Sequence, residues 1–186
     1  GATESGRAAP DGSYIGRLKV KYVKGNSPES NTTPFIIDTR APVLDMDVVP
    51  LPFSPDNDGI DDEVSIYPGI SDSSEIKTWI LVISDRTGRA FKTYSGSDSL
   101  ASEIIWDGRG DSGDLVTSAE DYFYSFSAVD KWNNRAELKG IIPVDVLVIR
   151  VGDLLKIQIA SIQFAPDSPE LSEETQEIID RNISVL

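Results

Sequence analysis

Apolar and polar residues alternate in two stretches of the chain, Tyr14, Gly16, Leu18, Val20 and Tyr22 in the first and Tyr122, Tyr124, Phe126 and Ala128 in the second. A period of two places every second side chain on one face of an extended backbone, so each stretch predicts a half-buried β-strand. Runs rich in β-branched and aromatic residues predict further strands over 43–49, 63–70, 76–84, 89–94 and 103–106. Asp58-Gly59, Thr87-Gly88, Asp107-Gly108 and Ser112-Gly113 lie between them, and glycine's tolerance of positive φ suits each pair to a tight turn. Many short strands with turn signals at this spacing predict an antiparallel β-sandwich.

The two alternating stretches correspond to one another. With Tyr14 laid on Tyr122, Leu18 falls on Phe126, Tyr22 on Asp130 and Asn26 on Asn134, an offset of 108 residues. The segments that follow also match, Phe35-Ile36-Ile37-Asp38 against Ile141-Ile142-Pro143-Val144-Asp145, after a one-residue slip. The offset is close to the roughly 100 residues of one immunoglobulin-type (Ig-like) sandwich. Residues 1–42 therefore read as the last strands of one repeat, and 43–146 as a complete second repeat. Asp38-Thr39-Arg40-Ala41-Pro42 is the joint, its Ala-Pro step biased towards extended backbone.

From Asp153 the pattern changes. Leu155, Ile157, Ile159, Ile162 and Phe164 predict a strand, which Asp167-Ser168-Pro169 ends. Ser172 is placed to cap a helix, with Glu173 and Glu174 at its positive end. Leu171, Thr175, Ile178, Ile179, Ile183 and Leu186 then recur at helical spacing and form one apolar stripe.

Two stretches resemble known families. Phe53-Ser54-Pro55-Asp56-Asn57-Asp58-Gly59-Ile60-Asp61-Asp62 is followed by Asp85-Arg86-Thr87-Gly88, Trp106-Asp107-Gly108, Gly113, Tyr122-Phe123-Tyr124 and the segment from Asp130 to Asn134. In this order they resemble the FlgD-type Ig-like repeat and the related C-terminal modules of gliding-motility surface proteins, across all of 43–146. Asp121 departs from that pattern, which often has glycine before the Tyr-x-Tyr strand. The second stretch is Ile162-Gln163-Phe164-Ala165-Pro166-Asp167-Ser168 and the helix from Leu171, which resembles the opening of an OmpA-like domain. The Asp and Arg with which that family grips the peptide stem of peptidoglycan lie beyond the matching residues, so no binding residue is carried over. The resulting expectation is a mainly β chain: an Ig-like antiparallel β-sandwich, then a short strand–helix segment, 147–186, of a truncated α/β OmpA-like domain.

Composition narrows the chemistry. A formal charge of −14 with no local Lys/Arg cluster repels phosphate and argues against nucleic acid as a partner. The chain has neither cysteine nor histidine. Disulfides, thiolate sites and thiol nucleophiles are thereby lost, together with the commonest general base and transition-metal ligand. No Ser/Lys nucleophile motif and no glycine-rich phosphate loop is present, so a non-enzyme is expected. No apolar run approaches the roughly 20 residues of a membrane-crossing helix. Residues 1–11 are small and polar and lack a signal-peptide core.

The acidic loop 56–63 is the strongest candidate for chemistry. Asp56, Asp58, Asp61 and Asp62, with Glu63, crowd carboxylates that a cation would relieve, and Ca²⁺ takes six to eight oxygen ligands. It is not an EF-hand: with Gly59 at the turn position, Ser54 and Ser65 stand where that loop needs carboxylates. The competing reading, which we prefer, is a turn whose Asp side chains bond their own backbone, with no cofactor. Arg109-Gly110-Asp111 forms an integrin-type tripeptide in the polar loop 107–114. Arg109 and Asp111 are candidate partner contacts, as is Trp132, an aromatic in a turn between Lys131 and Asn133. Trp106 and Trp79 read as core anchors.

The sequence thus leads to a structural spacer of a bacterial cell envelope, in the periplasm or outer membrane, that presents a peptidoglycan-associating domain. Peptidoglycan would be bound by the remainder of that domain, not by this chain. The alternative is an adhesin or partner-binding module, using the acidic loop and loop 107–114 toward a protein partner or another copy. A carboxylate-pair hydrolase is the third class and needs two carboxyls converging in a cleft.

Overall fold

The computed structural model describes residues 6–97 and 99–145, together with the backbone of 148–151 and 154–157. Every regular element among the described residues is a β-strand, and every strand pair is antiparallel. The protein is mainly β. The helix expected from Leu171 and most of the strand before it lie outside the described residues. The chain divides into two compact units, Gly1–Ala41 and Pro42–Leu186.

The first unit is a hairpin. Strand β1 (Gly12–Tyr14) and β2 (Arg17–Lys19) lead out, and β3 (Glu29–Asn31) and β4 (Phe35–Ile37) return, β1 pairing with β4 and β2 with β3. The alternation through Tyr22 predicts one continuous strand, but the ladder breaks after Tyr14. Tyr14 faces Phe35 while Arg17 faces Asn31, so the return strand carries one residue more than the outgoing one. Pro34 sits in that bulge and has no N–H to give. Gly16 and Thr32 bridge it instead, the Gly16 N–H donating to Thr32 Oγ1 at 2.9 Å and the Thr32 N–H to the Gly16 carbonyl at 2.8 Å. No described residue of this unit is buried.

The second unit opens with β5 (Val43–Val49), β6 (Val64–Ser71), β7 (Ile76–Ser84) and β8 (Ala90–Gly96). It continues with β9 (Ile104–Trp106), β10 (Asp121–Asp130) and β11 (Arg135–Pro143), and a separate pair, β12 (Val148–Val151) with β13 (Leu154–Ile157), follows. Two sheets form, β5-β6-β9 and β11-β10-β7-β8. Val64 and Ile66 of β6 and Trp106 of β9 form one core with Leu81 and Ile83 of β7, Phe126 of β10 and Ile142 of β11, all of them 0 % exposed. The arrangement is sandwich-like. Each such large apolar side chain contributes about 1.5–3 kcal/mol by leaving water.

Trp106 is the centre of an aromatic cluster, with ring centroids 5.2 Å from Phe53, 6.1 Å from Tyr122 and 6.3 Å from Phe91. Both buried indoles satisfy their N–H, Trp106 on the Arg109 carbonyl at 2.9 Å and Trp79 on the Ser99 carbonyl at 2.8 Å. Tyr122, second residue of β10, accepts the Thr117 N–H on its hydroxyl at 3.1 Å and pins the preceding loop to the strand.

One turn geometry occurs four times among the described residues. At 22–26, 85–89, 110–114 and 130–134 the fourth residue donates its N–H to the carbonyl of the first, and the first donates to the carbonyl of the fifth. The fourth residue (Gly25, Gly88, Gly113 or Asn133) has positive φ, which closes a type I turn with a bulge.

Candidate functional site

The acidic loop lies between β5 and β6 and is fixed at its root by the core. Phe53 is 0 % exposed against Trp106, and its backbone bonds the end of β11 and the chain just after it: its N–H donates to the Pro143 carbonyl, and the Asp145 N–H donates to its own. Pro55 packs so closely on Gly108 that a Cβ there would lie 2.6 Å from the Pro55 ring. Gly108 has a φ of 72° as well, so space and backbone both demand glycine.

Above this root the Asp side chains fold the loop on itself. Asp62 accepts the Asn57 N–H at 2.5 Å on one oxygen and the Gly59 N–H at 2.8 Å on the other. Asp58 accepts the Ile60 N–H at 2.8 Å, and the Ser54 N–H reaches the Asp61 carbonyl at 2.9 Å. These are the local carboxylate–backbone bonds expected of an Asx turn. They also bring one oxygen each from Asp56, Asp58 and Asp62 within 4.8 Å of one another, close enough for a single cation. Asp61, the fourth expected ligand, is not in that group; it takes a left-handed backbone, φ 53°, and contributes its carbonyl to the loop.

Loop 107–115 faces the acidic loop. A cleft of about 240 Å³ between them is lined by Asn57, Asp62 and Glu63 on one side and Asp107, Arg109 and Leu115 on the other. Arg109 is held rather than free, donating from Nη1 to the Gly113 carbonyl at 3.1 Å and from its N–H to Asp107 at 3.1 Å. Within the tripeptide Gly110 is buried, while the Arg109 and Asp111 side chains are exposed. Gly110 backs onto Phe91, whose carbonyl would lie 2.9 Å from an added Cβ, and Asp111 lies 3.4 Å from Lys92.

Trp132 is elsewhere. It is 38 % exposed at the β10–β11 turn, with Lys131 Nζ 5.5 Å from its ring centre, whereas the cleft adjoins the start of β10. Ten residues of strand separate the two ends of β10, roughly 30 Å. Trp132 therefore cannot share a small ligand with Arg109 and Asp111.

Two aspartates of the quoted turn segments, which the sequence reading did not weigh as site residues, each collect several hydrogen bonds. Asp130 is 0 % exposed and accepts the Trp132 and Asn134 N–H groups at 2.8 Å each, the Asn134 side-chain amide at 2.8 Å and the Ser74 hydroxyl at 3.2 Å. Burial acts to raise its carboxyl, but the bonds from Asn134, Trp132 and Ser74 outweigh it and hold it below the ordinary aspartate value. Asp85 repeats the plan at the β7–β8 turn; the Thr87 hydroxyl, helped by backbone N–H groups, lowers it too. The signal was available as Asp-x-x-Gly and Asp-x-x-Asn, an acceptor at the first turn position and a positive-φ residue at the fourth.

No protein-family model matches the chain, and no curated protein matches it. The crystal structure of dimeric latent PorU from Porphyromonas gingivalis is similar over 75 % of this chain at 19 % identity, with a TM-score of 0.41. The chain spans 13 % of that structure's length. At that level of similarity neither fold nor function transfers.

Proposed function

We propose that the chain is a non-catalytic spacer of a bacterial envelope protein, in the periplasm or outer membrane, whose Ig-like repeats carry an OmpA-like, peptidoglycan-associating domain. The observation that supports this most is the repetition itself. The turn at 22–26 and the turn at 130–134 have the same hydrogen bonds at an offset of 108 residues. Arg17 opposite Asn31 likewise stands at that offset from Ser125 opposite Lys139. The one-residue slip in the alignment falls at the bulge beside Pro34. On this reading 1–42 closes one Ig-like repeat, 43–146 is the next, and 147–186 begins the OmpA-like domain. The seven strands β5–β11 in sheets of three and four, with a tyrosine at the start of β10 bonded to upstream backbone, fit an Ig-like or fibronectin-like sandwich. A sandwich with one continuous apolar core suits the task of holding a neighbouring domain at a distance.

The test is co-sedimentation of the purified chain with peptidoglycan sacculi. The spacer reading expects the chain to stay in the supernatant, because its resemblance to the OmpA-like family stops short of the peptide-gripping residues. Retention that survives high salt would place a glycan or peptide site in the Ig-like part and sink the reading.

One observation favours partner binding as the second reading: the acidic loop and loop 107–115 face each other across one cleft. Arg109 and Asp107 would contact the partner there, with Ca²⁺ on Asp56, Asp58 and Asp62 as an optional organiser.

A further inference from the structure

The two copies of the hairpin differ in what covers them. In the second unit the face formed by Tyr122, Phe126, Ala128 and Asp130 is 0–2 % exposed, closed over by β5-β6-β9 and the core. The same positions of the first unit are Tyr14, Leu18, Val20 and Tyr22, and Leu18, Val20 and Tyr22 are 64 %, 39 % and 57 % exposed. Phe35, opposite Tyr14 as Ile142 is opposite Tyr122, is 48 % exposed where Ile142 is 0 %. The other face of the outgoing strand is Arg17, Lys19 and Lys21, flanked by the exposed Ile15 and Val23, so over 17–21 the hairpin is amphipathic with its apolar side exposed. Its edges are open too: among the described residues it forms only two-stranded sheets, whereas β10 lies between β11 and β7. Even the tyrosine anchor is repeated, Tyr14 donating its hydroxyl to the Pro10 carbonyl at 2.6 Å.

We infer that the apolar face of hairpin 12–37, Tyr14, Leu18, Val20, Tyr22 and Phe35, is the seat of a three-stranded sheet built like β5-β6-β9. A strand like β7 pairs along the open edge of 17–22, and both are supplied by polypeptide preceding the hairpin. This rests on the repeat reading and adds the surface, its register and its occupant. A two-stranded ribbon without a sheet beneath it is marginal in water, which leaves this hairpin dependent on an occupant. A second copy of the chain does not fit the part. Its own β5-β6-β9 sheet is already covered by its own β10–β11, with Phe126, Ala128 and Ile142 fully buried there.

The experiment compares amide exchange, read by mass spectrometry, in the whole chain and in the whole chain extended at its N-terminus by a copy of its own residues 43–108. That extension supplies β5–β9 at the spacing the repeat requires. In the unextended chain, amides of 17–31 are expected to exchange at least about a hundredfold faster than those of 125–139. In the extended chain 17–31 should gain about a hundredfold protection, and Leu18→Asp should remove it while leaving 125–139 unchanged. A second extended chain carrying Leu18→Phe, Val20→Ala and Tyr22→Asp, the side chains of the covered hairpin, guards against a mismatched core. If neither extended chain gains protection over 17–31, the inference is overturned. It is equally overturned if the unextended chain dimerises and protects 17–31 in a manner lost with Leu18→Asp, since the occupant is then a second copy. Sedimentation with sacculi reads the spacer proposal separately, so the two can fail independently.

Discussion

Hairpins 12–37 and 121–143 turn on the same geometry, with Tyr22 and Asn26 bonded across one tip as Asp130 and Asn134 are across the other. They differ in regularity and in what lies beneath them. The first has a proline bulge, an exposed tyrosine at the tip and no buried residue; the second has an unbroken ladder with β11, a buried aspartate at the tip and a core beneath it. Local sequence therefore suffices to draw the turn, because a positive-φ residue and a type I turn need only neighbours in the chain. Stability is a separate matter that the covering sheet decides. The same alternation of apolar positions has opposite energetic meaning in the two places, since an apolar side chain contributes only when something removes it from water.

The largest expected difference lies at the paired positions Leu18 and Phe126. Phe126→Ala should lower the stability of the second unit by about 3–5 kcal/mol, while Leu18→Ala should change it by less than about 0.5 kcal/mol. Trp106→Ala belongs with the first, at about 3–5 kcal/mol, because it empties the centre of the aromatic cluster. Chemical denaturation followed by fluorescence reads all three. A substantial loss from Leu18→Ala would mean that the first hairpin is already covered and would break the comparison.

The tip aspartate comes next. Asp130→Ala removes the acceptor of four hydrogen bonds at a fully buried position. It should cost about 2–3 kcal/mol, whereas Tyr22→Ala at the equivalent exposed tip should cost less than about 0.5 kcal/mol. The pH dependence sharpens this. The Asp130 carboxyl lies below its ordinary value in the folded protein, so its contribution is complete above about pH 4, the unfolded value. It fades as the pH falls through the lower folded value. Asp130→Asn should therefore flatten the acid limb of the stability curve, and an acid limb as steep as the wild type's would remove Asp130 from the account.

How far the sequence carries depends on how local each feature is. Strands 43–49 and 76–84 are read to the residue, since Pro42 and Pro50 bound the first and Glu75 and Asp85 the second. The strand through Tyr14 and Tyr22 is misread, because Pro34, which interrupts it, lies on the return strand rather than in the run itself. Asp56, Asp58 and Asp62 gather as a short loop allows, while Asp61 is lost to a left-handed backbone that no composition count reveals. The cleft is not readable at all. It needs Asp62 and Arg109, 47 positions apart, brought together by pairing of β6 with β9.

The smallest expected effect concerns the acidic loop, and it asks whether the sandwich is complete without a cation. A Ca²⁺ ion held by the folded state alone would stabilise the second unit by about 2.7 kcal/mol at a hundred times its dissociation constant. The hydrogen bonds argue for less. Asp62 has both oxygens on backbone N–H groups and Asp58 has one, so the loop's shape is set by the protein's own donors. An ion would have to share those oxygens, and the core already anchors the loop through Phe53 and Pro55. Millimolar Ca²⁺ should accordingly shift the melting of the second unit by no more than about 0.5 kcal/mol in stability. Amide exchange over 17–31, far in sequence from any such ligand, serves as the internal control and should not change. A larger shift that Asp58→Ala abolishes, with 17–31 unaffected, would make the loop a metal site and give the partner-binding reading its organiser.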